Sequence, residues 1–245
     1  MKAVSAIPAA TVALRIVRKI EVRFANGSTK SGTAFLAPAR GRLLTCAHVV
    51  DDEEDGPALE VRVTAQNGNS YTTRILDLDK SVDLASLEAK ESGSHPSGQS
   101  ALPQVGEDVI FAGLPQGVRT ASVFPGMVSA VGAQLIPFPR CEMIQIAGMI
   151  NNGNSGGPLV NYKGEILGVI TAKYVPLLQQ IDKLRLELES IPQFPREVGL
   201  GKIDFAAFVN MTIKSMWQLA AVLRLVQVGT GWAVPASQFS RVGGS

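Results

Sequence analysis

The sequence is poor in the residues that form disulfides or bind metal ions. Its 245 residues include two cysteines, Cys46 and Cys141, and two histidines, His48 and His95. A secreted disulfide scaffold carries more cysteine, so we expect two free, buried thiols in a reducing compartment. These four residues do not form a cluster with metal-ligand spacing. The sequence therefore predicts neither a metal site nor a cofactor.

An excess of charge of one sign is also lacking. The chain has 23 basic and 21 acidic residues, which gives a net charge of +2. No run of Lys and Arg with interleaved aromatic residues occurs, so we expect no nucleic-acid partner. An apolar content of 46% is enough for a sizeable core.

The first twenty residues lack a clear secretion signal. A weakly apolar segment follows Lys2, but Ser5, Pro8 and Thr11 interrupt it and Arg15 comes soon after. A signal peptide has a longer apolar stretch than this. We interpret the segment as a lead-in to the first strand and expect a cytosolic location.

Short strand-like runs dominate both halves of the chain. The dipeptides Asn26-Gly27 and Asn67-Gly68 are typical of hairpin turns. About six strands in each half predict two packed barrels or a sandwich, and the helices of a doubly wound sheet are missing. A polar segment at 91–103 reads as a linker. We therefore place an N-terminal segment and a first β-barrel at 1–95 and a second β-barrel at 96–242.

One segment, at about residues 175–228, breaks the β pattern. Its apolar residues recur every three or four positions, which predicts a helical hairpin inserted into the second barrel. The two helices either pack on each other and on the barrel, or offer a surface for a protein partner or for self-association. Lys214 lies near the middle of the second helix and argues against a membrane span.

A single serine lies among small residues in the stretch from Asn151 to Ala172. A serine nucleophile needs a neighbouring base and backbone N–H groups aimed at the oxyanion. The turn GNSGG could supply those donors from Gly153 and Ser155, while Gly156 and Gly157 leave room for a substrate.

The base and its carboxylate can be sought in the rest of the chain. His95 lies in the polar linker, whereas His48 lies at the end of an apolar strand in RLLTCAHVV. Asp77, Asp79 and Asp83 all follow His48. Asp83 is the first residue of the apolar run DLASLEA, so it is the aspartate that we expect to be held rigidly.

The segments GTAFLAP, LLTCAHVV, VDLASL and NNGNSGGPLVNYKGEILGVITA resemble the trypsin-like serine proteases, and most of all their HtrA branch. The resemblance runs from about residue 31 to residue 235, apart from the insertion. It implies an all-β, double six-stranded, chymotrypsin-like barrel with the site in the cleft. It assigns the catalytic triad to His48, Asp83 and Ser155.

The resemblance also suggests how a substrate is held. It places Met149 and Ile150 at the base of the pocket for the residue before the cut, where no acidic residue occurs, and a small or medium apolar residue fits there. Thr171, Ala172 and Lys173 would pair with the substrate backbone as an added strand. Digestive relatives carry Asp where this chain has Asn154, so activation by a newly cut N-terminus is not expected.

The resulting prediction is a serine endopeptidase that acts on polypeptides through an acyl-enzyme, with regulation by movement of a loop or of the insertion. No PDZ-like segment follows the protease-like part of this sequence, so regulation by PDZ peptide capture is not predicted. The alternative is a latent or inactive protease-fold module that binds partners through its helical insertion.

Overall fold

The computed structural model describes residues 5–91, 96, 102–115, 120–135, 141–150, 153–171, 209–216, 218 and 229–244. The helices in residues 1–173 and 229–245 are α1 (Ile7–Ile16), α2 (Ala47–Val50) and a 3-10 helix (Ala236–Val242) near the C-terminus. The strands are β1 (Val17–Phe24), β2 (Thr29–Leu36), β3 (Arg42–Thr45), β4 (Asp51–Asp52), β5 (Gly56–Thr64), β6 (Ser70–Thr73), β7 (Ile75–Asp79), β8 (Leu84–Glu88), β9 (Asp108–Gly113), β10 (Ser122–Gln134), β11 (Glu142–Gly148), β12 (Pro158–Asn161), β13 (Ile166–Thr171) and β14 (Thr230–Pro235).

The first sheet curls back on itself. Its eight strands run in the order β4-β5-β1-β2-β3-β8-β7, with β6 paired to β5. Only Arg74 separates β6 from β7, and its carbonyl accepts a hydrogen bond from Glu88 N. The chain itself therefore joins the two ends of the sheet. With β6 and β7 taken as one bent strand and the two-residue β4 set aside, the predicted six strands remain.

The second sheet is a closed barrel in the order β10-β11-β14-β13-β12-β9. Every neighbouring pair is antiparallel. Its core is built from Val, Ile, Leu and Phe side chains on the inward faces of these strands, as alternation in a closed sheet requires. The predicted all-β double-barrel fold is confirmed.

Both predicted hairpin turns are present. Gly27 and Gly68 have φ angles of 87° and 85°, which a residue with a side chain rarely adopts. The side-chain oxygens of Asn26 and Asn67 accept hydrogen bonds from the backbone N–H groups two residues further on. These asparagines close the turns that join β1 to β2 and β5 to β6.

The helix α1 is a difference from the sequence expectation, which treated these residues as a lead-in. Pro8 lies in its first turn, where a missing N–H costs little. Ala9, Ala13 and Ile16 form a narrow buried face. Beyond that face, Val12 lies 3.1 Å from the position that a Cβ on Gly164 would take, so the glycine lets the helix approach the second barrel. This short stripe was too small to stand out in the sequence.

Residues Tyr174–Val228 form a second compact unit. The predicted insertion at about 175–228 lies almost wholly outside the described residues, but residues 209–216 are described and are helical. None of the helices in the described part of the chain has the length and apolar character needed to span a bilayer. The predicted boundary at residues 95 and 96 falls between β8 and β9, and its exact position stays a prediction.

Candidate active site

His48 lies in the short helix α2, directly after the central strand β3. Its Nδ1 atom lies 3.0 Å from Oδ1 and 2.9 Å from Oδ2 of Asp83. The backbone N–H of His48 also donates to Asp83 Oδ1 at 3.0 Å. The His48 side chain is 17% exposed and the Asp83 side chain only 3%. With Nδ1 held by the carboxylate, Nε2 is the ring nitrogen left to exchange a proton with a nucleophile.

Asp83 lies in the turn between β7 and β8 with a φ angle of 58°, alone among the non-glycine residues that the structure describes. This left-handed conformation costs about 1–2 kcal/mol. Its backbone carbonyl accepts a hydrogen bond from Ala47 N at 3.2 Å, and Thr171 Oγ1 donates to Oδ2 at 2.9 Å. These contacts offset the strain and fix the carboxylate against the imidazole.

The charge state of Asp83 follows from opposing effects. Burial raises the pKa of its carboxyl, but the charge of His48 and the hydrogen bonds from His48 and Thr171 outweigh burial and hold the pKa below its usual range. The carboxylate is therefore ionised at neutral pH. An ionised partner favours the Nδ1–H tautomer of His48 and stabilises an imidazolium.

The other two candidate aspartates have different partners. Asp77 Oδ2 forms an ion pair with Arg42 at 2.6 Å, and Asp79 Oδ2 forms one with Arg241 at 3.1 Å. The structure thus brings Asp83 to His48, and neither Asp77 nor Asp79 takes its place.

Steric restrictions explain why glycines surround Ser155. Gly153 and Gly156 have φ angles of 96° and 87°. A Cβ on Gly156 would lie 2.0 Å from the Thr33 carbonyl oxygen, and one on Gly157 would lie 2.0 Å from the Ala112 carbonyl oxygen. From the sequence, Gly156 and Gly157 were expected to leave room for substrate. In the structure, they let the serine loop press directly against the backbones of β2 and β9.

The end of β13 connects the segments that carry the three candidates. The carbonyl of Ile170 accepts hydrogen bonds from Gly156 N at 2.8 Å and from Cys46 Sγ at 3.2 Å. Gly156 follows Ser155, and Cys46 precedes His48 by two residues. The next residue of β13, Thr171, donates to Asp83. Two consecutive residues therefore bind the His48 segment, the Ser155 loop and the Asp83 carboxylate.

Both cysteines are free and buried, as expected. The thiol of Cys46, the His48 ring and the Asp83 carboxylate place their donor atoms within 4.8 Å of one another, a cluster that the sequence spacing did not reveal. Burial, together with the charge of Asp83, raises the pKa of the Cys46 thiol well above its usual value. The thiol is therefore protonated. It donates to the Ile170 carbonyl, and the ring and the carboxylate bind each other.

The predicted substrate-binding residues fall into three groups. Met149 is 62% exposed, whereas Ile150 is 5% exposed and belongs to the core of the second barrel. Thr171 pairs with Trp232 of β14 through its backbone, and its hydroxyl donates a hydrogen bond to Asp83. Ala172 and Lys173 lie outside the described residues.

Three features of the site were missed by sequence reasoning. The hydroxyl of Thr33 contacts the serine loop, the hydroxyl of Thr171 binds Asp83, and the side chain of Asn154 is fully buried without a hydrogen-bond partner. A threonine at the end of an apolar run, as in TAFL for Thr33 and LGVIT for Thr171, is a usable signal, because a hydroxyl buried there needs a partner. For Asn154 no such signal exists in the sequence.

Comparison with known proteins bears on this geometry. The Trypsin-like peptidase domain family matches residues 32–169, which is more than half of the chain. The putative serine protease HhoA of Synechocystis sp. is 38% identical over 149 residues, covering 58% of this chain and 36% of the relative. The serine protease HTRA1A of Danio rerio is 32% identical over 221 residues, covering 86% of this chain and 45% of the relative. The chain thus spans less than half the length of these relatives.

Solved structures agree on the fold. The active form of the Rv3671c protease from M. tuberculosis superposes with a TM-score of 0.63 at 21% identity, covering 97% of this chain and 85% of that chain. The HtrA-type protease AlgW with a tripeptide gives 0.63 at 23% identity, covering 95% of this chain and 60% of that chain. Taken with the family match over residues 32–169, these findings place the chain in the trypsin-like peptidase domain family.

Proposed function

We propose that this chain is a serine endopeptidase that uses Ser155 as nucleophile, His48 as general base and acid, and Asp83 as the group that orients His48. The observation that carries the proposal is the buried Asp83 carboxylate, which binds Nδ1 and the backbone N–H of His48 together. The relatives HhoA and HTRA1A, which are named as serine proteases, support the same reaction.

The reaction proceeds in two halves. Ser155 Oγ attacks the scissile carbonyl carbon while His48 Nε2 takes the hydroxyl proton, and the carbonyl oxygen becomes an oxyanion. The backbone N–H groups of Gly153 and Ser155 stabilise this charge. His48 then gives its proton to the departing amine, which leaves an acyl-enzyme. A water molecule, deprotonated by His48, hydrolyses the ester and restores Ser155.

The chain favours a small or medium apolar residue before the cut. Ile150 is packed so closely over Gly231 that a Cβ on that glycine would lie 2.0 Å from Ile150 Cδ1. The space at this end of the second barrel is therefore already filled with an aliphatic side chain. Among the described residues, the side chain that fills this space is the aliphatic Ile150 rather than a carboxylate that could pair with a basic residue, and a large side chain would have to displace it.

The serine loop carries a feature that supports regulation by loop movement. Asn154 is fully buried, its amide has no hydrogen-bond partner, and its Oδ1 lies 2.6 Å from the position of a Cβ on Gly113. An unpaired buried polar group costs about 1–3 kcal/mol. A second loop conformation that pairs this amide would therefore compete with the one described, and substrate would favour the conformation with both N–H donors in place.

The test is cleavage of a peptide library with terminal sequencing by mass spectrometry. The wild-type chain should cut internal bonds after Ala or Val in preference to Phe, Lys or Arg, and Ser155→Ala should cut none. Cleavage that persists in Ser155→Ala, or a wild-type chain that cuts nothing, would contradict the proposal. The helical insertion and the cytosolic location play no part in this test and stay predictions.

A further inference from the structure

One residue that contacts the serine loop through both its side chain and its backbone is not among the three candidate catalytic residues. It is Thr33 of β2, which is fully buried in the first sheet. Its backbone N–H donates to the Ser155 carbonyl at 3.2 Å. Its hydroxyl donates to the Gly153 carbonyl at 2.6 Å and accepts a hydrogen bond from Leu114 N at 3.0 Å. One residue of the first sheet thus holds two carbonyls of the loop that belongs to the second barrel.

These contacts bear directly on the Ser155 N–H, which is one of the two predicted oxyanion donors. The peptide group that carries the Ser155 N–H lies between the peptide groups whose carbonyls belong to Gly153 and Ser155. Thr33 holds both of those carbonyls, and the Asn154 carbonyl between them accepts a hydrogen bond from Gly157 N at 2.9 Å. Three consecutive carbonyls of the loop are therefore engaged, two of them by Thr33.

The position most in need of such support is Gly153. Its φ angle of 96° lies in a region that only glycine enters freely, and glycine also leaves it freely. The adjacent peptide could rotate at little steric cost if its carbonyl were not held. The short hydrogen bond from the Thr33 hydroxyl supplies that restraint. Leu114 N fixes the hydroxyl in turn, because the oxygen that accepts from Leu114 directs its own proton toward Gly153.

We propose that Thr33 is a positioning residue that keeps the oxyanion-binding loop in its competent conformation by holding the Gly153 and Ser155 carbonyls. This inference rests on the proposed function. It predicts an effect on the chemical step rather than on substrate binding, because the held N–H groups face charge that develops only in the transition state.

The first experiment compares Thr33→Val with Thr33→Ser in hydrolysis of a peptide substrate. Valine keeps the shape and removes the hydroxyl, so kcat should fall about 10- to 100-fold while KM changes less than about threefold. Serine keeps the hydroxyl and should restore most of kcat. Affinity for a peptide aldehyde, which forms an oxyanion on the enzyme, should fall with kcat in the valine variant. Equal losses in Thr33→Ser and Thr33→Val, or a loss confined to KM, would overturn the assignment.

A matched control comes from Thr73 in β6, whose buried hydroxyl donates to the Glu88 carbonyl at 2.6 Å. Thr73→Val removes a hydrogen bond of the same kind and length that does not involve the serine loop. It should lower thermal stability about as much as Thr33→Val and leave kcat unchanged. A similar fall of kcat in both variants would mean that general destabilisation, not loop position, explains the result. Should Thr33→Val not fold, Thr33→Ala replaces it, because the smaller side chain admits water to Leu114 N.

The second readout does not depend on activity. In a Ser155→Ala background, Thr33→Val should speed amide hydrogen exchange about tenfold or more in peptides that span residues 153–157, and Thr73→Val should not. If the wild-type chain hydrolyses nothing, the proposed function fails, yet this exchange measurement still decides the role of Thr33. Unchanged exchange at 153–157 would refute the role even in an active enzyme.

Discussion

Asp83 binds His48 twice over, through the ring and through the backbone. Oδ1 accepts the backbone N–H at 3.0 Å, and both carboxylate oxygens lie within 3.0 Å of Nδ1. The same carboxylate accepts a hydrogen bond from Thr171 of the second barrel. The imidazole therefore has one fixed orientation and one favoured tautomer, both set by a residue in a strained turn.

Replacement of Asp83 tests this relationship. Asp83→Asn should lower kcat about 10⁴-fold at neutral pH, because an amide N–H₂ facing Nδ1 selects the wrong tautomer of His48. Steady-state hydrolysis measures it. Asp77→Asn is the control, since Asp77 pairs with Arg42 at the surface and should change kcat less than about threefold. A mild Asp83 variant beside a severe Asp77 variant would contradict the assignment.

The charge of Asp83 also predicts how stability depends on pH. Its pKa in the folded state lies below the value near 3.9 of an unfolded aspartate. The stabilising contribution is therefore complete above that unfolded value and is lost as the pH falls through the folded pKa. The free energy of unfolding of the wild-type chain should drop on acidification more than that of Asp83→Asn. Denaturant titrations between about pH 5 and about pH 2 span the window in which the difference develops. Parallel curves for the two proteins would argue against a lowered pKa.

Enlarging the space beside Gly231 should change the cleavage preference. Ile150→Ala removes the side chain that fills this space and should raise kcat/KM for substrates with Leu or Phe before the cut, relative to Ala, by about tenfold or more. The variant should also lose about 2–4 kcal/mol of stability, because Ile150 belongs to the core. Competition between two labelled peptides measures the ratio. An unchanged ratio would mean that Ile150 does not limit the pocket.

The turn that presents Asp83 is anchored from the C-terminal 3-10 helix. Asp79 accepts hydrogen bonds from the backbone N–H and the hydroxyl of Ser81, and from Arg241. Arg241→Gln should lower kcat about three- to tenfold with a loss of stability below about 1 kcal/mol, because the ion pair is partly exposed to solvent. Arg74→Gln, which breaks the exposed pair with Glu88 on the same hairpin, should leave kcat unchanged. Equal kcat values for the two variants would show that Arg241 does not support the turn.

The candidate residues that the sequence predicted are those whose chemistry few side chains can supply. Few side chains can serve as a base, and the chain has two histidines, so His48 stood out beside a serine wrapped in glycine. Asp83 followed because it is the first residue of the apolar run DLASLEA, although the strand itself begins at Leu84. The repeated short strands and Asn-Gly turns left two packed barrels or a sandwich open, and the resemblance to trypsin-like serine proteases implied the double barrel that the structure has.

The supporting contacts could not be predicted, because they join residues far apart in the chain. The hydroxyl of Thr33 meets Gly153 across 120 positions, and that of Thr171 meets Asp83 across 88. Nothing local to either threonine specifies its partner. The close approach of Gly156 to the Thr33 carbonyl could not be predicted for the same reason, since that carbonyl belongs to another sheet.

The most direct measurement is the reaction of the purified chain with a fluorophosphonate probe, with the adduct mapped by mass spectrometry. The account predicts one covalent adduct on Ser155, abolished in Ser155→Ala and strongly slowed in His48→Ala, because only an activated serine beside its base attacks the phosphorus. An adduct on another residue, or labelling that survives loss of His48, would contradict it.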